Sequence, residues 1–198
     1  HIGSGSDVSL RTFTGHMGPV YQAVWSPSRP GVFATCSGDR TVRLWDSRDP
    51  SNISPMAIAA TLDGEVLSLD WDKYSDWLIV SGGTDCGLHA LDIRTPGRPL
   101  ASHAGHGLGV TRVKSHPWVS GCAGSVSYDM GVCVWDVGNT HDGFLVHGEG
   151  VGGKGLHSRC DYHTEFTTGL DFSTFIPNRM VSCSMDKNVV VWDLDLPR

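Results

Sequence analysis

Cys36-Ser-Gly-Asp-Arg-Thr-Val-Arg-Leu-Trp-Asp46 is the stretch that decides the fold. A Gly-Asp turn leads into a segment where apolar and polar side chains alternate, closing on Trp-Asp. With Asp39 as origin, Trp45 lies six residues on and Asp46 seven, Thr35 four before and His16 23 before. The same ruler laid from Asp129 finds His106, Ser125, Trp135 and Asp136, and from Asp186 it finds His163, Ser182, Trp192 and Asp193. From Asp85 it finds Ser81 and Asp92, but Leu62 stands where the His should be and Leu91 where the Trp should be. Self-similarity at this period marks an internal repeat, which has to be recognised before any local motif is interpreted.

The spacing has a physical reason. Each unit reads as four short antiparallel strands making one sheet. A buried His can bond the turn Asp on one side and a strand hydroxyl on the other, and the hydroxyl can accept from the Trp indole N–H. Such a chain satisfies several buried polar groups at once. His16, His106 and His163 with Asp39, Asp129 and Asp186 look like a catalytic constellation if taken singly. Recurring at one spacing, they read as structural tetrads, together with Thr35, Trp45, Ser125, Trp135, Ser182 and Trp192. Ser81 and Asp85 form the incomplete one. The pattern resembles the WD-repeat β-propeller family. The resemblance implies an all-β fold with four blades in this chain, as part of a ring of about seven. The first residue is His1 rather than Met, which fits a sequence representing part of such a ring.

Composition narrows the function classes. The chain has 198 residues, 39% hydrophobic, with a formal net charge of −6. That balance disfavours a general nucleic-acid binder, which would carry a basic stripe, and is compatible with a basic ligand. No apolar run is long enough to insert in a bilayer and no signal-peptide pattern opens the chain. Cys36, Cys86, Cys122, Cys133, Cys160 and Cys183 show no paired metal spacing, and most fall in expected strands, so they read as reduced thiols of a cytosolic protein.

Repeats are expected at about 14–62, 63–104, 105–149 and 161–198. Val8 to Phe13 reads as the outer strand of another blade, and the last unit as having three strands. Without its His and Trp, the second blade is expected to lean on apolar packing. The segment 121–127 is small and Gly-rich and is expected to pack poorly. The interval 138–160 reads mostly as a flexible Gly-rich insert.

Three local patterns are decoys. Gly148 to Gly155 nearly spells a phosphate-binding loop, but Gly155 follows Lys154 where a magnesium-reaching Ser or Thr is needed, and the helix that such a loop must lead into is not suggested. Cys160-Asp-Tyr-His163 has a ligand-like spacing without a second pair. No Gly-x-Ser-x-Gly or isolated Cys/His pair suggests a nucleophile. The sequence thus gives no case for catalysis, a metal or a cofactor.

Segments between the repeat markers carry more. Val24 to Pro27 with Gly31 to Ala34, Asp70 to Cys86, Leu91 to Leu100, Thr111 to Lys114 and His163-Thr-Glu-Phe-Thr-Thr-Gly-Leu-Asp-Phe-Ser173, in this order, resemble the C-terminal four repeats of the peroxin-seven family. Its members are receptors for the type 2 peroxisomal targeting signal. The resemblance implies a soluble import receptor that takes newly made matrix enzymes such as thiolase in the cytosol. With a co-receptor peroxin it would bring them to docking-complex peroxins and cycle to the peroxisome. The signal, (Arg/Lys)-(Leu/Val/Ile)-x₅-(His/Gln)-(Leu/Ala), would bind as an amphipathic helix. A propeller would present that helix to the rim built by the loops entering each inner strand and the turns after each second strand. Those loops hold Glu65, Glu165 and Phe166, and the turns hold Thr84, Tyr128 and Met185. These six are the candidate peptide-binding residues. The alternative is a WD-repeat scaffold or substrate adaptor in an unrelated complex.

Overall fold

The structure, a computed structural model, describes residues 11–49, 53–137 and 155–196. These form fifteen strands in four antiparallel sheets. The first sheet holds β1 (Val20–Trp25), β2 (Val32–Ser37), β3 (Thr41–Asp46) and β4 (Ala57–Thr61) in that order. The second holds β5 (Val66–Trp71), β6 (Leu78–Gly83), β7 (Gly87–Asp92) and β8 (Ala101–Ala104). The third holds β9 (Val110–Ser115), β10 (Cys122–Ser127), β11 (Val132–Asp136) and β12 (Leu156–Cys160). The fourth has β13 (Thr167–Phe172), β14 (Arg179–Ser184) and β15 (Val189–Asp193).

The sheets stack face to face in chain order. Ala34, Cys36, Val42 and Leu44 of the first pack on Leu69, Trp71, Ile79 and Leu91 of the second. Leu78, Val80, Leu88 and Ala90 on the far side of the second meet Val110, Val113, Ala123 and Trp135. Cys122, Val126, Val132 and Val134 meet Leu170, Phe172 and Met180. A sheet covered on both faces buries consecutive side chains, and every residue of β6 and β10 is buried. β1 and β15, on the two end sheets, instead alternate between exposed and half-buried positions, because among the described residues one face of each end sheet is uncovered. Trp25 is 61% exposed on the first sheet, while its counterpart Trp71 on the second is 0% exposed.

Polar bonds tie neighbouring sheets together. Ser68 Oγ donates to Gln22 Oε1 (2.9 Å) and accepts from Val113 N (3.0 Å), joining three inner strands. Asp70 and Asp72 accept backbone N–H groups from Ser115 and Gly121 of the third sheet. Thr111 Oγ1 donates to the Thr167 carbonyl at 2.7 Å.

Three expectations need correction. The Gly-rich segment 121–127 packs closely. A Cβ added at Gly124 would stand 2.9 Å from both Leu170 and Phe172, so glycine is what lets the fourth sheet come this near. The end of the 138–160 interval is not loop, because Leu156–Cys160 pairs with β11 as the outer strand. Residues 11–13 are not in a strand. Val8 to Leu10, and the near phosphate loop up to Lys154, lie outside the described residues.

Two local devices shape one end of the sheets. Each inner strand carries a bulge near its start, with Tyr21, Leu67, Thr111 and Thr168 unpaired between their neighbours. Each turn between second and third strands places the residue after the marker Asp in the left-handed region: Arg40, Cys86, Met130 and Lys187, with φ from 65 to 70°. A tight turn followed by one left-handed residue matches the twist of the flanking strands.

Candidate peptide-binding rim

The rim is clasped the same way in all four sheets. The residue before the marker Asp donates its N–H to the carbonyl of the residue just before the inner strand. The four bonds are Gly38 to Pro19 (2.8 Å), Thr84 to Glu65 (2.9 Å), Tyr128 to Gly109 (3.0 Å) and Met185 to Phe166 (3.0 Å). Entry loops and turns are therefore one continuous surface.

On that surface the six candidates fall as follows. Tyr128 and Phe166, from the third and fourth sheets, meet edge to face with centroids 5.1 Å apart. Both are exposed, as is Met185. Thr84 is exposed, but its hydroxyl accepts the Glu65 N–H at 2.8 Å and so shapes the loop. Glu165 is exposed and its carboxylate has no hydrogen-bond or salt-bridge partner among the described residues. Glu65 is exposed but engaged: Tyr21 Oη donates to its Oε2 at 2.7 Å. The carboxylate beside it raises the Tyr21 pKa, chiefly through this hydrogen bond. The sequence reading missed Tyr21. The signal available was its place one residue into β1, where the bulge turns a side chain out of the ladder.

Beneath the rim lie the repeated polar residues. In the first sheet Trp45 Nε1 donates to Thr35 Oγ1 (2.7 Å), which is 2.7 Å from His16 Nε2, and His16 Nδ1 is 2.8 Å from Asp39 Oδ2. The indole can only donate, so the hydroxyl proton goes to Nε2 and the ring donates from Nδ1 to the carboxylate. In the third sheet Trp135 Nε1, Ser125 Oγ and His106 Nε2 are joined at 2.7 Å each, with His106 Nδ1 3.1 Å from Asp129. In the fourth, Trp192, Ser182, His163 and Asp186 are linked by contacts of 2.8 Å. Burial opposes ionisation of Asp39, but bonds from Thr41, Met17 N and His16 outweigh it and hold its pKa far below the usual carboxylate range. Asp129 behaves likewise through His106 and the Gly107 N–H. Asp186 is lowered to about 2, burial again being outweighed by bonds from Asn188 N, His163 and Thr164 N.

The second sheet departs from the expected pattern. Asp85 is not left to apolar surroundings: His89 of β7 puts Nε2 3.0 Å from its Oδ2, and His89 Nδ1 accepts from Ser102 Oγ at 2.9 Å. The imidazole comes from the third strand instead of the entry loop. Ser81 Oγ is buried without a hydrogen-bond partner among the described residues, since neither Trp nor His stands beside it.

The six cysteines are free. Cys36, Cys122 and Cys133 are buried, and burial pushes their thiols up to about 12. Cys86, Cys160 and Cys183 are half-buried. Among the described residues no three His, Cys, Asp or Glu side chains are grouped to hold a metal, and no helix is long and apolar enough to cross a membrane.

The family described as "WD domain, G-beta repeat" matches residues 7–46, 57–89 and 157–193, together more than half of the chain. The chain belongs to the WD-repeat family. The third WD repeat lies largely outside the matched stretches, yet its sheet has the same strand order and the same His–Ser–Trp–Asp contacts. Among curated relatives, the Saccharomyces cerevisiae "Peroxisomal targeting signal 2 receptor" is 28% identical over 92% of this chain and 56% of its own length. The receptor of that name from Mus musculus is 35% identical over 93% of this chain and 53% of its own. A different WD-repeat relative, "Histone acetyltransferase type B subunit 2" of Debaryomyces hansenii, is 25% identical over 98% of this chain and 46% of its own. The solved WD40 β-propeller domain of Doa1 superposes with a TM-score of 0.72 at 23% identity, covering 94% of this chain and 55% of that one. That similarity bears on the fold. This WD-repeat chain spans about half the length of the curated relatives it matches.

Proposed function

We propose that this WD-repeat chain belongs to an import receptor that binds the N-terminal type 2 targeting signal of peroxisomal matrix enzymes. With a co-receptor peroxin, the receptor carries thiolase-like cargo from the cytosol to docking-complex peroxins. The observation that carries this reading is the similarity, over more than nine-tenths of the chain, to two proteins named as receptors for that signal. The rim supports it in chemistry. It offers exposed aromatics in Tyr128 and Phe166, a thioether in Met185, and carboxylates in Glu65 and Glu165. An amphipathic helix with a basic residue at one end and apolar residues on one face meets those groups.

The test uses the intact protein with its co-receptor and a labelled type 2 peptide. Glu65→Lys and Glu165→Lys should each weaken binding about tenfold at low salt, with the loss shrinking as salt rises. Phe166→Ala should weaken it with little salt dependence. Folded charge-reversal variants that bind like the wild type would remove this rim from consideration.

A second reading, a WD-repeat scaffold or adaptor in another complex, is favoured by the match to the Debaryomyces hansenii subunit. It is distinguished by indifference to the type 2 spacing when the spacing in the peptide is scrambled.

A further inference from the structure

One turn of the rim carries no side chain of its own, and the Tyr21–Glu65 contact sits against it. At the position before the marker Asp the four sheets carry Gly38, Thr84, Tyr128 and Met185. Three of these put side chains over the rim; Gly38 puts none. A Cβ at Gly38 would stand 3.3 Å from Tyr21 Oη and 3.4 Å from Glu65 Oε2. With Pro19 Cδ at 3.2 Å as well, a side chain here would crowd the pair, so the glycine is what lets both oxygens sit against the turn.

Of the four bulge residues, Tyr21, Leu67, Thr111 and Thr168, only Tyr21 has an aromatic ring. Its hydroxyl spends its one proton on Glu65 Oε2 at 2.7 Å, across the junction of the first and second sheets. The hydroxyl keeps lone pairs, and Glu65 Oε1 accepts no hydrogen bond among the described residues. Both residues are exposed. The result is a fixed pair of acceptors from two different residues, adjacent to an exposed ring and carrying one negative charge. A carboxylate with a phenol oxygen and an aromatic ring beside it suits a guanidinium, whose several N–H groups take planar acceptors and whose face lies flat against a ring. An ammonium is a compact point charge that reaches the carboxylate but gains less from a second planar acceptor.

We propose that Tyr21 and Glu65, seated against Gly38, form a guanidinium subsite that selects Arg over Lys at the basic position of a bound helical peptide. The inference rests on the receptor reading above and adds to it a residue and a preference. Tyr21 contacts the ligand and sets specificity, while Gly38 lets the Tyr21–Glu65 pair sit against the turn.

The experiment measures binding of two labelled type 2 peptides, identical except for Arg or Lys at the basic position, to the intact protein with its co-receptor. Wild type should bind the Arg peptide about tenfold tighter. Tyr21→Phe keeps the ring and loses the acceptor, so it should bring the Arg peptide down to the affinity of the Lys peptide and leave the Lys peptide unchanged. Glu65→Gln should weaken both. Gly38→Ala, whose methyl would press on both oxygens and shift the pair, should weaken the Arg peptide more than the Lys peptide. Wild type binding both peptides equally, or a Tyr21→Phe protein that keeps the Arg preference, overturns the subsite while the receptor reading stands. Wild type binding neither peptide overturns the receptor reading and the subsite with it.

Discussion

His89 Nε2 lies 3.0 Å from Asp85 Oδ2, four residues back along the chain, and replaces a contact that the other three sheets make over 23 residues. In the first sheet the residue at this same offset is Arg43, which also reaches its marker carboxylate, Asp39, at 3.3 Å. The third strand thus supplies a nitrogen donor to the turn Asp in both sheets, and in the second sheet it is the imidazole.

This contact makes Asp85 more important than its incomplete repeat implies. Asp85→Ala and His89→Ala should each cost about 1–3 kcal/mol in urea melts, because each leaves a largely buried partner unsatisfied. The double variant should cost clearly less than the sum. Full additivity would mean that the two side chains do not act on each other.

Ser81 and Ser125 occupy equivalent places with opposite surroundings. Ser125→Ala strands the Trp135 indole and His106 Nε2 and should cost about 2–3 kcal/mol, whereas Ser125→Thr, the residue at position 35, should be nearly neutral. Ser81→Ala removes a hydroxyl that has no partner among the described residues and should be neutral or slightly stabilising. Thermal melts of the three variants separate these outcomes, and equal losses at both serines would contradict the assignment.

Gly124→Ala should destabilise by about 1–3 kcal/mol, since the added carbon meets Leu170 and Phe172 at 2.9 Å in a packed junction between sheets. Leu170→Ala in the same background should recover part of that loss by making room. The recovery is read from the urea midpoint at constant slope.

Acid sensitivity should have two separate windows. His116 is buried, and its Nδ1 accepts the N–H groups of Trp118 and Val119 at 3.1 Å each, so a proton there would break both bonds. Burial lowers its pKa from 6.5 to about 4. A depressed histidine stabilises fully above the unfolded value. That stability is lost as pH falls from 6.5 towards 4, because only the unfolded chain takes up the proton. His116→Asn, which keeps an acceptor and cannot be protonated there, should flatten this slope in urea melts. The tetrad carboxylates act lower. Asp186, with its pKa at about 2 instead of 3.8, stabilises above the unfolded value and loses that contribution as pH falls from 3.8 towards 2.

Much of the architecture was legible because a repeat repeats its constraints. The offsets from Asp39, Asp129 and Asp186 set which side chains share a buried chain of hydrogen bonds, and the structure joins those side chains within 3.1 Å in three sheets. Turn chemistry and apolar alternation set the strands between them. His89 escaped the ruler because a histidine on the third strand reaches the same carboxylate from the other side of the turn. Contacts depend on position in space, and an offset records only one way of arriving there.

The sequence by itself determined the sheets: local alternation, Gly-Asp turns and the spaced polar residues act within one unit and need nothing from elsewhere in the chain. Tertiary structure decided what happens between units. Gly124 is a weakness in an isolated strand and becomes the point of closest approach once Leu170 and Phe172 lie against it. Tyr21 and Glu65 are 44 residues apart and belong to different sheets, so no single repeat contains their contact. Only stacking of the first sheet on the second, with a bulge turning Tyr21 outward and a glycine beneath it, sets the hydroxyl and the carboxylate side by side on the rim.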